Sequence, residues 1–387
     1  MESVAPVAVA RPRVENSAAV PWQLSAVLIG STSIVVGLLW DLSWHLTIGR
    51  DTFWSPPHLA VYLGGVLAGL SCGALALKTT FRGSEAQREV AVRFWGFRAP
   101  LGAWVAIWGA LAMLVSAPFD NWWHNAYGLD IQSFTPPHAL LLFGMFTIQL
   151  GAMFLALAIQ NRAPADELKR LGLAHLYAAG IMIVVLIPVH VMEPNRRHGA
   201  SFYELMAIYL PFIFVAVARS SRLRWAATIT AAVYMLLVAM MVWILPLFPA
   251  EPRLGPIITQ VNRMAAPYFP LLLVIPGLGI DLLLQRREGK RAGWLDSVVI
   301  GTVFLGLFFV VHWYSAEFLL SPAARNWFFG ADRYVSFNFH QSLIEYEFWG
   351  VNEDRMTVAR FGSDLLWAIG STRVGLWWGQ WMAGVQR

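Results

Sequence analysis

Nine apolar segments, each close to the length needed to cross a lipid bilayer, constrain this chain more than any other feature of its sequence. They lie at about 24–45, 58–79, 99–119, 138–160, 172–191, 203–218, 225–248, 268–285 and 294–319. A transmembrane helix needs about 20 mostly apolar residues. Only 13% of the 387 residues are charged, against about a quarter in soluble domains. The sequence therefore predicts an all-α integral membrane protein with about nine transmembrane helices and the lipid bilayer as its first partner.

The basic residues predict how these helices are oriented. Up to the ninth segment, seventeen Lys and Arg residues fall in the connections that lie on the same side as the N-terminus, and five fall in the others. Basic residues are enriched in cytoplasmic loops. We therefore expect a multi-pass protein of the cytoplasmic (inner) membrane with a cytoplasmic N-terminus. The net charge of +5 is explained by this asymmetry and indicates no nucleic-acid partner.

Four regions follow from this topology. They are a cytoplasmic tail at 1–22, a repeated pair of helical hairpins at 23–160, further transmembrane helices at 161–320, and an outer-face C-terminal segment at 321–387 that associates with the membrane interface. Within the last region, 361–384 is apolar enough for a tenth span, but Asp364 and Arg373 interrupt it. The sequence favours a membrane-hugging or re-entrant segment there over a tenth span.

The repeat is visible as a doubled motif of acidic and imidazole residues. In each copy an Asp stands four residues before a His, a Gly-x-Asp follows, and a hydroxyl residue precedes Pro-Pro-His. The matched residues are Asp41, His45, Asp51 and His58 in the first copy and Asp120, His124, Asp130 and His138 in the second. Eight of the nine histidines fall on the expected outer side. This distribution indicates a function for imidazole at that face.

Local helix geometry allows the Asp and the two His side chains of each motif to come together. An Asp and a His at i and i+4 project from the same face of a helix. Ser55 and Thr135 are good N-cap residues, and proline is tolerated at the first helical position, so His58 and His138 lie in the first turn of the returning helix. One carboxylate and two imidazoles leave positions open for water or substrate, and these donors suit copper, zinc or iron. The single cysteine, Cys72, excludes a disulfide framework or a thiolate cluster.

A lone interfacial His is usually only a hydrogen-bonding residue, and duplication of the whole set is what favours metal binding. The metal ligands that we predict are Asp41, His45, His58, Asp120, His124 and His138. Asp51 and Asp130 are candidates either for orienting a ligand or for simple turn formation. Weaker candidates follow the fifth segment at His190, Glu193 and His198, where interfacial residues among lipid headgroups are the competing interpretation.

The spacing of both triads resembles the paired copper-ligand motifs of the membrane C subunit of the particulate methane and ammonia monooxygenases. That family has Asp-x3-His-x12-His, as at Asp41, His45 and His58, and then a second motif with Asn where this chain has Asp120. The two histidines of the second motif match His124 and His138. The resemblance covers roughly residues 35–145, and this chain is longer, with more spans.

The resemblance implies one copper site at Asp41, His45 and His58 and a second at His124 and His138, with or without Asp120. It also implies a copper-dependent oxygenase that hydroxylates small apolar or inorganic substrates together with other membrane subunits. Two alternatives stay open on the residues alone. One is a zinc-dependent membrane hydrolase with Asp51 or Asp130 as the base. The other is a non-catalytic subunit of a membrane complex.

Overall fold

The computed structural model describes residues 21–49, 52–128, 135–163, 168–191, 199–287, 293–340 and 354–386, apart from the side chains of 187–191. Within these ranges the chain forms eleven α-helices and one short two-stranded hairpin. The helices are α1 (Trp22–Thr47), α2 (Pro56–Arg82), α3 (Glu85–Glu89), α4 (Leu101–Tyr127), α5 (Pro136–Gln160), α6 (Leu168–Val191), α7 (Ala200–Ser220), α8 (Ala226–Ile244), α9 (Val274–Gln285), α10 (Trp294–Leu320) and α11 (Val358–Ala383). The strands β1 (Val92–Phe94) and β2 (Phe97–Ala99) join α3 to α4.

Eight helices in the described part of the chain are long and apolar enough to cross a membrane, namely α1, α2, α4, α5, α6, α7, α8 and α10. The prediction of an all-α membrane protein is therefore confirmed. The segment expected at 268–285 differs, because helix α9 starts only at Val274 and has 12 residues. Pro267 and Pro270 explain the late start, since proline disfavours helical backbone in the residue before it and supplies no N–H.

Two helical hairpins, α1 with α2 and α4 with α5, are each closed by a pair of facing glycines. A Cβ atom on Gly64 would lie 2.4 Å from the carbonyl oxygen of Gly30, and one on Gly144 would lie 2.7 Å from that of Gly109. The glycines occupy the same positions in both repeats. The first glycine of each pair stands eleven residues before the motif Asp, and the second stands six residues after the last His. Small residues at such contacts let two backbones approach closely.

The two hairpins pack side by side through α2 and α4. A Cβ atom on Gly65 would meet the Met113 side chain at 3.3 Å, and one on Gly69 would meet Ala110 at 2.9 Å. Residue numbers rise along α2 as they fall along α4, so these helices are antiparallel. The end of each hairpin that carries its motif therefore lies at the same end of the bundle.

Two segments outside the α-helices, 248–273 and 324–340, fold together beside the end of α1, and we call them the cap. Backbone N–H groups of Ile258 and Thr259 donate to the carbonyl of Phe337, and that of Ala266 donates to Arg333. The rings of Tyr268 and Tyr334 stack with centroids 3.8 Å apart. The cap thus joins the connection before α9 to the segment after α10.

Helix α11 packs lengthwise and parallel against α7. Near its start, Asp354 accepts hydrogen bonds from the N–H and hydroxyl of Ser201, and near its end Gly379 lies against Ala216. In between, the Ser371 hydroxyl donates to the Ile208 carbonyl (2.6 Å) and accepts from the Phe212 N–H (2.9 Å). The hydroxyl therefore contacts both backbone groups that pair with each other in a regular helix, next to Pro211, which has no N–H of its own.

The glycine contact in the first hairpin predicts opposite effects of one substitution at two positions of α2. We expect Gly64→Ala to lower the free energy of unfolding by about 1–3 kcal/mol, because the new methyl overlaps the Gly30 backbone. Gly73→Ala is the matched control, since a Cβ atom there meets nothing within 4 Å and alanine favours the helix. Thermal unfolding in detergent measures both, and equal effects would contradict the contact.

Because α11 runs parallel to the full length of α7, we expect it to cross the bilayer with α7 as a tenth span. A cysteine placed at exposed Gln386 should then react with an impermeant thiol reagent from the same side as one placed at exposed Arg222, just after α7. Buried Cys72 is replaced by serine in both variants. Labelling from opposite sides would instead support the surface-lying segment that the sequence favoured.

Candidate metal centre

The helix ends that carry the doubled motif form as the local sequence predicts, with one exception. Helices α1 and α4 continue through the motif Asp and His, and α2 and α5 begin with Pro-Pro-His. Ser55 and Thr135 are the N-cap residues with extended backbone, but neither side chain makes the expected capping hydrogen bond. Both hydroxyls are buried without a hydrogen-bond partner. Adjacent prolines remove the N–H groups of the first two helical positions, which reduces what a capping oxygen can accept.

In the first hairpin the three predicted ligands converge. One Asp41 carboxylate oxygen, Oδ2, lies 3.6 Å from His45 Nε2, and the other, Oδ1, lies 3.3 Å from His58 Nε2. Taking one ligand atom from each residue, all three lie within 4.8 Å of one another. Among the described residues this is the one group of three or more His, Cys, Asp or Glu side chains that meets this distance.

The second hairpin repeats the arrangement around Asp120. Its Oδ2 lies 3.4 Å from His124 Nε2, and its Oδ1 lies 3.4 Å from His138 Nε2. The structure thus places a carboxylate between two imidazoles in both copies. The Asp120 position, where the resembled family has Asn, is used here in the same way as Asp41.

Hydrogen bonds to the opposite ring nitrogens define the tautomer of one histidine in each triad. His58 Nδ1 lies 3.0 Å from the Thr52 carbonyl, and His124 Nδ1 lies 3.3 Å from the Gly128 carbonyl. A carbonyl oxygen only accepts, so Nδ1 carries a proton, and in a neutral ring Nε2 then presents its lone pair to the carboxylate. Orientation of a ligand histidine by a backbone carbonyl is common at metal sites.

A cation between a neutral Nε2 and a carboxylate oxygen would relieve the repulsion between their lone pairs. All four N–O distances are 3.3–3.6 Å, which is within ion-pair range but longer than the roughly 2.7–2.9 Å of a short imidazolium–carboxylate hydrogen bond. In addition, Oδ1 of Asp41 and of Asp120 is buried and accepts no hydrogen bond. Tetrahedral coordination with bonds of about 2.0–2.2 Å separates two ligand atoms by about 3.3–3.6 Å. The donor set and its spacing therefore fit a divalent metal ion.

The ligand side chains are neither sealed from solvent nor fully exposed. Their exposed fractions run from 19% for His58 to 44% for His45, with Asp120, His124 and His138 between these values. A structural zinc site usually has four protein ligands, and a catalytic site keeps a position open. Three ligands with this exposure leave room for an exogenous molecule in each triad.

The side chains of the other predicted site residues are not among those that the structure describes. Asp51, Asp130, Glu193 and His198 lie outside the described residues, and for His190 only the helical backbone is described. Their assignments stay predictions.

Sequence reasoning missed the residues that bring the triads together. The facing glycine pairs Gly30–Gly64 and Gly109–Gly144 set the approach of the helices, and Ser43 ties the end of α1 to the cap. The glycines could have been found, because the repeat of 79–80 residues that relates the ligands also relates them. No comparable sequence signal marks Ser43, whose partner, Ala265, is 222 residues away.

Fold and site together define an all-α membrane protein with two Asp–His–His clusters at one end of its bundle. No protein-family model matches the chain, and no match was found among curated proteins or among solved structures. The resemblance in motif spacing therefore stays a prediction.

Metal binding at these triads predicts a ligand-dependent gain in stability. We expect copper(II) at a hundred times its Kd to raise the free energy of unfolding by about 2.7 kcal/mol per site. The double variant Asp41→Ala with Asp120→Ala should lose this gain, because each triad loses its carboxylate. Thermal unfolding with and without the ion measures the effect.

Asp354→Ala is the matched control for that double variant. The Asp354 carboxylate pairs with Arg360 and Ser201, and Asp354 is not one of the six predicted ligands. The control should be less stable without metal but should keep the metal-dependent gain. A gain that survives in the double variant would mean that the ion binds elsewhere.

Proposed function

We propose that this chain is a membrane metalloprotein that binds copper at its two triads and acts as a component of a copper-dependent oxygenase. The observation that supports the proposal is the repeated geometry: in both hairpins, imidazole nitrogens and carboxylate oxygens stand 3.3–3.6 Å apart. Nitrogen and oxygen donors with open positions suit copper(II). The motif spacing adds to this, since it resembles that of the copper monooxygenase C subunit.

The side chains of each triad have distinct tasks in this proposal. Asp41 and Asp120 supply the negative charge that offsets a cation near the membrane surface, where an isolated carboxylate is costly. Carbonyl groups of Thr52 and Gly128 hold one imidazole of each triad with Nε2 facing inward. Copper bound at these ligands would activate dioxygen.

Membrane placement supports a small or apolar substrate. The helices that carry the triads have large apolar side chains on their outer surfaces, including Leu63 and Leu70 on α2 and Leu111 and Leu114 on α4. A substrate dissolved in the bilayer could approach the helix ends along such surfaces. Insertion of one oxygen atom, with the other reduced to water, also takes two electrons and two protons from an external reductant. Other membrane subunits are the expected source.

The proposed orientation places the N-terminus in the cytoplasm and both triads at the periplasmic or outer face. The distribution of basic residues supports it, because Arg82, Arg98 and Arg162 lie near the end of the bundle opposite the triads. Copper would then be acquired outside the cytoplasm.

Metal analysis of protein extracted without chelator tests the proposal. We expect at least one and up to two equivalents of copper per chain, and oxygen consumption when a reductant and an apolar substrate are added. The double variant His45→Ala with His124→Ala should lose most of the copper and the activity, because each triad loses an imidazole. His340→Ala, an exposed histidine outside both triads, is the matched control and should keep both.

The alternatives give different results. Stoichiometric zinc without copper would overturn the oxygenase proposal and favour the zinc hydrolase. Unchanged metal content and activity in the double variant would mean that the doubled motif is structural, as expected for a non-catalytic subunit.

A further inference from the structure

The two triads differ in how the helix that carries the Asp is held. In the first repeat the last turn of α1 is covered by the cap. Ser43, between the two ligands of α1, is buried and donates a hydrogen bond to the Ala265 carbonyl at 2.7 Å. Thr47 is also fully buried, and its hydroxyl contacts Met264 Sδ at 3.3 Å.

The cap also supplies hydrogen-bond donors to the C-terminus of α1. The last carbonyl groups of a helix have no donor within the helix. Here the Phe337 N–H donates to the Leu46 carbonyl at 3.0 Å, and the Arg253 N–H donates to the Ile48 carbonyl at 2.9 Å. Gly49 follows with φ of +81°, and a Cβ atom there would lie 2.5 Å from the Phe337 ring. The cap and the helix end therefore fit closely.

The equivalent end of α4 lacks this cover in the part of the chain that the structure describes. Trp122 stands where Ser43 stands in the first repeat, and its side chain is 54% exposed. Ala126 replaces Thr47 and is exposed. Gly128 repeats the positive φ of Gly49 at +89°, but a Cβ atom there would meet nothing within 4 Å.

We infer that the cap makes the first triad the tight metal site and leaves the second triad as a weaker, exchangeable one. The inference rests on the proposed metal binding. Ligands held by packed surroundings lose less freedom when an ion binds, so preorganisation raises affinity. The first triad is also the one whose three ligand atoms already lie within 4.8 Å of one another.

The inferred difference in metal affinity does not come from solvent access, because the candidate ligand side chains are partly exposed in both triads. Ser43 is a positioning residue in this inference, since it carries no ligand atom and acts through the backbone between Asp41 and His45. Removing such supporting contacts typically weakens metal affinity by about 10–100-fold.

Copper(II) titration of full-length protein in detergent, against a chelator of known affinity, tests the inference. One variant keeps only the first triad (His124→Ala with His138→Ala), and the other keeps only the second (His45→Ala with His58→Ala). We expect the first to bind at least about tenfold more tightly. Ser43→Ala should weaken the first triad by about tenfold and leave the second unchanged.

Ser71→Ala is the matched control. Ser71 is a buried serine of the same repeat, but its hydroxyl donates to carbonyls within its own helix, so neither affinity should change. Equal affinities of the two triads, or a Ser43→Ala effect that is absent or equal at both, would overturn the inference and leave metal binding intact. Absence of binding in both single-triad variants would overturn the proposed function as well.

Hydrogen exchange of the metal-free protein provides a measurement that needs no variant. Amides at 45–49 should exchange more slowly than those at 124–128, because within the described ranges the cap covers only the first set. Equal exchange at the two helix ends would contradict the role of the cap.

Discussion

The close approach of paired helices at their facing glycines is the contact on which the candidate site depends. In each hairpin, one helix ends with an Asp and a His, and the other begins with a His. These residues meet only if the two axes lie close together. Side chains larger than hydrogen at Gly30 and Gly64, or at Gly109 and Gly144, would separate the helices where the backbones touch. The site is therefore determined as much by small residues within the bilayer as by the polar residues at its edge.

The second constraint is electrostatic. Each aspartate stands between two imidazoles near the end of an apolar helix, and one histidine of each triad already donates its Nδ1 proton to a backbone carbonyl. If that ring is neutral, its other nitrogen faces the carboxylate with a lone pair, and a cation between them would relieve the repulsion. The same arrangement occurs in both copies of the motif. Its repetition favours a cation site in each triad as the explanation.

Much of this arrangement could be predicted from the sequence, because it follows from local rules. Helix length and apolarity predicted nine spans, eight of which are long apolar helices in the described residues, and the i, i+4 spacing placed Asp41 and His45 on one face. The start of α9 was predicted too early because the prediction relied on apolar composition and did not take account of the two prolines before Val274. Contacts between residues far apart in the chain, such as Ser43 with Ala265, could not be predicted, since no local pattern specifies which segment covers a helix end.

The hydroxyl bridge from Ser371 into α7 has a consequence for how the protein is made. Phe212 and Ser371 are 159 residues apart, so α11 leaves the ribosome well after α7. At synthesis rates of about 5–20 residues per second, the Ser371 hydroxyl is made roughly 8–32 s after Phe212. During that interval α7 has the Pro211 position without the hydroxyl that contacts its backbone in the finished fold. The final backbone contacts of α7 therefore depend on a helix that is synthesised later.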